Sequence, residues 1–96
     1  MAVIVHLTTP VVDEVFALEE TLEQKISDAH VGEYDGNVIA AGGTEAILYA
    51  YGPDADALWQ VMEPTIRGST VSAGSYVIKR YGDGGDAGAR EDRIAL

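Results

Sequence analysis

The apolar positions of this 96-residue chain follow two alternating periods. Residues 2–8, AVIVHLT, alternate and are rich in β-branched side chains. Val3, Val5 and Leu7 point one way and Ile4 and His6 the other, which predicts a strand. The period then lengthens. Val15, Leu18, Leu22, Ile26 and Ala29 recur at helical spacing and predict a helix from about Pro10 to His30. Thr9 is its expected N-cap and Pro10 its first residue, with Asp13 and Glu14 in the first turn and Gly32 as the stop.

Between Val31 and Ala40, Tyr34, Val38 and Ile39 suit a strand that Asp35-Gly36 interrupts. The preferred reading is a bulge or bend, and the rival is a tight hairpin across Asp35-Gly36. Residues 41–44, AGGT, read as a turn. In Glu45–Tyr51, Ile47, Tyr49 and Tyr51 alternate with Ala46, Leu48 and Ala50, a further strand. Gly52-Pro53 breaks it, and Asp54 is placed to cap a second helix. That helix carries Leu58, Val61, Met62, Thr65 and Ile66 as its stripe, with Trp59 at the margin. Pro64 lacks a donor and crowds the carbonyl of Gln60, which predicts a kink or a short final turn before Arg67-Gly68-Ser69. Ser75–Tyr81 is the last expected strand. The following GDGGDAG reads as a flexible tail, with AREDRIAL as at most a terminal helical turn.

The resulting order, β-α-β-β-α-β, is the split pattern of ferredoxin-like α+β folds. It predicts a four-stranded antiparallel sheet in the order 4-1-3-2, with two helices on one face. Residues 1–82 form the domain and 83–96 an acidic C-terminal tail. Val3, Val5, Leu7, Leu48 and Val77 are assigned to the helix side, where the small Ala46 and Ala50 let the helices approach. The bare face then carries Ile4, His6, Ile47, Tyr49, Tyr51, Tyr76, Ile78 and Arg80. A contiguous apolar and aromatic patch of this kind marks an interface. The opposite assignment, with the tyrosines under the helices, is the competing reading.

Charge narrows the partners. Sixteen acidic and six basic residues give a net charge of −10. A phosphate backbone or an anionic membrane surface is repelled, so neither nucleic acid nor membrane is an expected partner. The RNP pattern of sheet-face RNA binders is also absent. The apolar opening MAVIVHLTTPVV lacks a basic n-region and a cleavage site and is too short to span a bilayer. With no cysteine there is no disulfide framework or thiolate metal site, which fits a cytoplasmic protein. The first helix concentrates the acid: Asp13, Glu14, Glu19, Glu20, Glu23 and Asp28 stand against Lys25 alone. Glu19 and Glu23 repel at i, i+4. This is either a solvated face or a landing surface for a basic protein, with Glu20 and Glu23 as contacts and Phe16 as an apolar anchor.

Catalytic patterns are sparse. Asp54 and Asp56 read as helix-capping residues rather than an anion or metal site. Asp83-Gly84-Gly85-Asp86 lacks the ligand spacing of a calcium loop. His6 reads as a satisfied sheet residue, and His30 suits the negative end of the first helix dipole. No nucleophile elbow is present, and no metal or cofactor is implied. Tyr34-Asp35-Gly36-Asn37 reads as a bend, with an edge-strand binding site at Tyr34 as the alternative.

At GEYDGN, YAYGPDADALWQVMEP and the closing KRYG, the chain resembles a group of small uncharacterised bacterial proteins. These share a Tyr-Asp-Gly near the second strand and a Tyr-Gly-Pro-Asp-Ala-Asp before the second helix. The likeness covers most of residues 3–82. It implies a ferredoxin-like fold and no activity. The leading expectation is a non-enzymatic binding domain that homodimerises through the bare sheet face. The alternatives are an acidic inhibitor or immunity-type protein masking a basic toxin or nuclease, and a small enzyme or ligand-binding domain with a cleft near His6 and Arg80 at a dimer interface.

Overall fold

Alternation in the two central strands sets the architecture. The computed structural model describes residues 1–8, 10–69, 74–82 and 90–96. In chain order the elements are β1 (Ala2–Leu7), α1 (Val12–Ala29), β2 (Glu33–Ile39), β3 (Ala46–Tyr51), α2 (Ala55–Arg67), β4 (Tyr76–Arg80) and β5 (Glu91–Ala95). A tight turn at Ala41–Gly43 joins β2 to β3, with Gly42 at φ of 83° and the Gly43 N–H donated to the Ala40 carbonyl at 2.9 Å. Every strand pairing is antiparallel, and the sheet runs β2-β3-β1-β4-β5. The α+β class therefore stands, but the sheet has five strands rather than four.

The extra strand corrects the reading of the C-terminus. Glu91–Ala95 is neither tail nor helical turn: it pairs along β4, with Ile94 opposite Val77 and Asp92 opposite Lys79. Ile94 and Leu96 pack against the core. Residues 83–89 of the expected tail lie outside the described residues.

The alternation delivers Val3, Val5, Leu7, Ala46, Leu48, Ala50 and Val77 to one face, all fully buried. Val15, Leu22 and Ile26 of α1 and Leu58, Met62 and Ile66 of α2 pack onto them, with Leu18 and Trp59 at the margins. Burying each of these large side chains is worth about 1.5–3 kcal/mol relative to exposure. The tyrosines of β3 and β4 are not under the helices, so the face assignment made from the alternation holds.

Local details follow the backbone. β2 pairs with β3 along its whole length, with a register shift between Tyr34 and Gly36, so Asp35-Gly36 is a bulge and not a hairpin turn. Gly36 has φ of 110°, which suits a residue without Cβ. α1 begins at Val12, two residues later than the pattern predicts. Its N-cap is Val11, which makes no side-chain cap bond, and Thr9 lies outside the described residues. α1 ends at Ala29, in line with the expected end near His30; the left-handed cap is His30 rather than Gly32, with φ of 54° and its backbone N–H donated to the Ser27 carbonyl at 3.2 Å. Asp54 caps α2 as expected, accepting from the N–H groups of Asp56 (2.9 Å) and Ala57 (3.2 Å). Pro64 does not stop α2, which continues to Arg67.

Gly32 and Gly52 are required for packing. A Cβ on Gly32 would lie 2.0 Å from the Tyr51 carbonyl oxygen, and one on Gly52 would lie 2.3 Å from that of Val31. The entry to β2 and the exit from β3 thus cross backbone to backbone. Gly52→Ala should destabilise the fold by about 2 kcal/mol or more, since the obstacle is main chain that cannot swing aside. Gly68→Ala, where the nearest atom is 3.1 Å away, should cost less. Urea denaturation of the two variants checks the ordering.

Candidate functional site

The face of the sheet turned away from the helices is built by the even positions of β1 and their cross-strand partners. One row places Val38, Ile47, His6, Tyr76 and Ala95 side by side, and the next Gly36, Tyr49, Ile4, Ile78 and Arg93. A third runs through Glu33, Tyr51, Ala2, Arg80 and Glu91. His6, Tyr49, Tyr51, Tyr76 and Arg80, singled out from the alternation, therefore share one surface. Most of its side chains are half-buried by their neighbours, while Val38 and Tyr51 are 56% and 43% exposed.

The contacts within this face are aromatic and charged. The His6 and Tyr76 rings stack at 4.5 Å between centroids and 10° between planes. From the other side of Tyr76, the Arg93 guanidinium lies 4.1 Å from the ring centroid. Such a cation over an aromatic face is worth about 0.5–1 kcal/mol when exposed. The Nδ1 atom of His6 is 3.5 Å from Glu45 Oε1, and Arg80 is 3.6 Å from Glu91. A cavity of about 160 Å³ opens at one end, among Met1, Ile4, Tyr51, Arg80 and Gly82. The arrangement presents flat rings, aliphatic side chains and two guanidinium groups to whatever covers it. Arg93 and Glu91 were missed in the sequence because they belong to the unforeseen β5.

Phe16, Glu20 and Glu23 are on α1, across the sheet from this face, and all three are exposed. They form a separate surface. Glu19 does not belong to it: its carboxylate accepts from the Tyr34 hydroxyl (2.5 Å) and from Asn37 Nδ2 (2.7 Å), fastening α1 to β2. Partial burial, then the bond to and charge of Glu19, push the Tyr34 phenol above its ordinary range. Tyr34 is thus a fastener, with its hydroxyl turned to α1.

A second fastener joins segments far apart in sequence. Asp56 Oδ1 accepts from Lys79 Nζ (2.8 Å) and from the Tyr81 hydroxyl (2.6 Å). Arg90 donates to Asp92 at 2.8 Å and lies 4.7 Å from the centroid of the Tyr81 ring. The bonds from Lys79 and Tyr81 hold the Asp56 carboxyl below its usual range, and Asp56 in turn pushes Lys79 up to about 12. The Asp-Ala-Asp turn and the Lys-Arg-Tyr-Gly end therefore meet, binding the start of α2 to the two C-terminal strands. Asp56 is thus more than part of a capping pair.

Among the described residues no group of three or more His, Cys, Asp or Glu side chains is arranged to hold a metal ion. Nor, among them, is any helix long and apolar enough to cross a membrane. No family model, curated protein or solved structure matches this chain significantly.

The Tyr34–Glu19 bond has a pH signature. The folded phenol titrates above the unfolded value of 10.0, so its contribution is complete below that value and is lost as pH rises past it. Tyr34→Phe should cost about 1–2 kcal/mol at neutral pH. It should also flatten the fall in stability above pH 10.0, as measured by denaturation at successive pH values.

Proposed function

We propose that this protein is a non-enzymatic interaction domain that forms a homodimer by laying the bare sheet face of one copy against that of another. The observation that carries this reading is the face itself. It is a continuous array of the half-buried Ile4, Ile47, Tyr49, Tyr76 and Ile78 with the exposed Tyr51, and no helix among the described residues covers it.

Charge favours a second copy as the occupant. At −10 per chain, two copies repel over most of their surfaces. On the bare face Arg80 and Arg93 offset Glu33 and Glu91, while the acidic surplus of α1 lies on the opposite side, so repulsion between copies is weaker there. Edge-to-edge pairing is the less suited mode. β2 is bent by its bulge, and β5 carries Glu91, Asp92 and Arg93, both ordinary devices that blunt a sheet edge.

The order β4-β1-β3-β2 within the sheet supports a ferredoxin-like core to which β5 has been added. Strands about 4.8 Å apart and residues at about 3.3 Å give the face a footprint of roughly 400–500 Å² per copy. Two such faces fall below the standard size of stable interfaces, so the proposed dimer belongs to the small, reversible class.

In sedimentation equilibrium the apparent mass should rise from 10.2 kDa towards twice that value across the micromolar range. Tyr49→Glu should hold it at the monomer mass with an unchanged circular dichroism spectrum. A wild-type chain that stays monomeric at high micromolar concentration would remove the proposal.

A further inference from the structure

We infer that the outer flank of α1, on the side of the molecule opposite the bare sheet, docks a basic amphipathic helix of another protein. The starting observation is apolar. Val11, Val12 and Phe16 are 54%, 39% and 51% exposed, a cluster of large side chains at the start of a helix whose core stripe is already filled by Val15, Leu18, Leu22 and Ile26. Val12 and Phe16 are four residues apart and so lie on one line along the helix; Glu20 continues that line, and Glu23 borders it. Exposed aromatic and branched residues grouped in this way are contact residues more often than scattered surface positions are.

Farther along, Glu23 opens into a groove of about 390 Å³ between the end of α1 and the start of β2, lined also by Ile26, His30, Glu33 and Tyr34. The exposed apolar cluster is thus followed along α1 by a groove with a mainly polar lining and the Glu23 carboxylate at its edge. That sequence of surfaces fits one class of partner. An aliphatic or aromatic residue rests on Phe16 and Val12. Lys or Arg residues at the following turns lay their stems along the flank and bring their charged ends to Glu20 and Glu23. Glu19 stays with Tyr34 and Asn37, which holds the flank rigid. Since α1 lies across the sheet from the bare face, this docking is independent of the homodimer.

The probe is a synthetic amphipathic helix of Leu and Lys with a fluorescent label, followed by anisotropy against the full chain at fixed salt. Phe16→Ser and Glu20→Lys should each weaken binding about tenfold, and a Leu/Glu version of the probe should not bind. Glu63→Lys on α2 changes net charge by the same amount at a site away from the flank and should alter binding by less than about twofold. Equal losses from Glu20→Lys and Glu63→Lys would mean diffuse attraction and overturn the inference. Binding unchanged by Phe16→Ser, or absent altogether, would do so too. The monomeric Tyr49→Glu variant should bind the probe as the native chain does, which separates this result from the fate of the dimer.

Discussion

The structure depends on one constraint: two helices cover one face of a sheet and leave the other bare. In β1 and β3 every second side chain points under the helices, and those positions hold Val3, Val5, Leu7, Ala46, Leu48 and Ala50, all fully buried. Among the described residues the alternate set has no helix to bury it. A one-residue slip in either strand would exchange the two sets, placing His6 and Tyr49 in the core and Val5 and Leu48 in water. The register is therefore fixed by burial, and the bare aromatic face is its necessary counterpart. The crossing of Gly32 and Gly52 belongs to the same constraint, because the chain must leave α1 and turn back into the sheet within a few residues.

At two margins the hydrophobic core runs out and charged groups take over. Glu19 ties α1 to β2 through Tyr34 and Asn37, and Asp56 ties α2 to Lys79 and Tyr81. The strong acidic surplus of the chain is thus divided. Part of it fastens helices to the sheet, and part, including Glu20 and Glu23, stays in solvent. Exposed ion pairs contribute little individually. At these margins they act together with phenol hydroxyls and with Ile94, which brings an apolar contact to the edge strand.

Strong periodicity made the two helices, the first four strands and the inward face legible in the sequence. Asp54 was legible as a cap because its position after Gly-Pro is a local signal, and the bulge at Asp35-Gly36 because β2 stays apolar beyond it. β5 was not legible. EDRIA offers one large apolar residue, Ile94, and its pairing with β4 joins residues separated by a glycine-rich stretch, so no local period announces it. The late start of α1 also escaped, since Thr9-Pro10 is a sound capping signal by itself. Of the candidate residues, the bare-face set came from alternation, which reports face directly. Its neighbours Arg93 and Glu91 depended on the unseen strand. The roles of Glu19 and Asp56 rest on tertiary contacts to Tyr34, Lys79 and Tyr81, which single-sequence spacing does not encode.

Because the chain contains no cysteine, a single introduced thiol reports on one position without background. The most direct measurement is the labelling rate of Ile78→Cys, in the middle of the bare face, against Gln24→Cys on the solvent side of α1, as protein concentration is raised. The account predicts that labelling at position 78 slows as copies associate while labelling at position 24 does not change. Equal rates at every concentration, or slowing at position 24 alone, would contradict it.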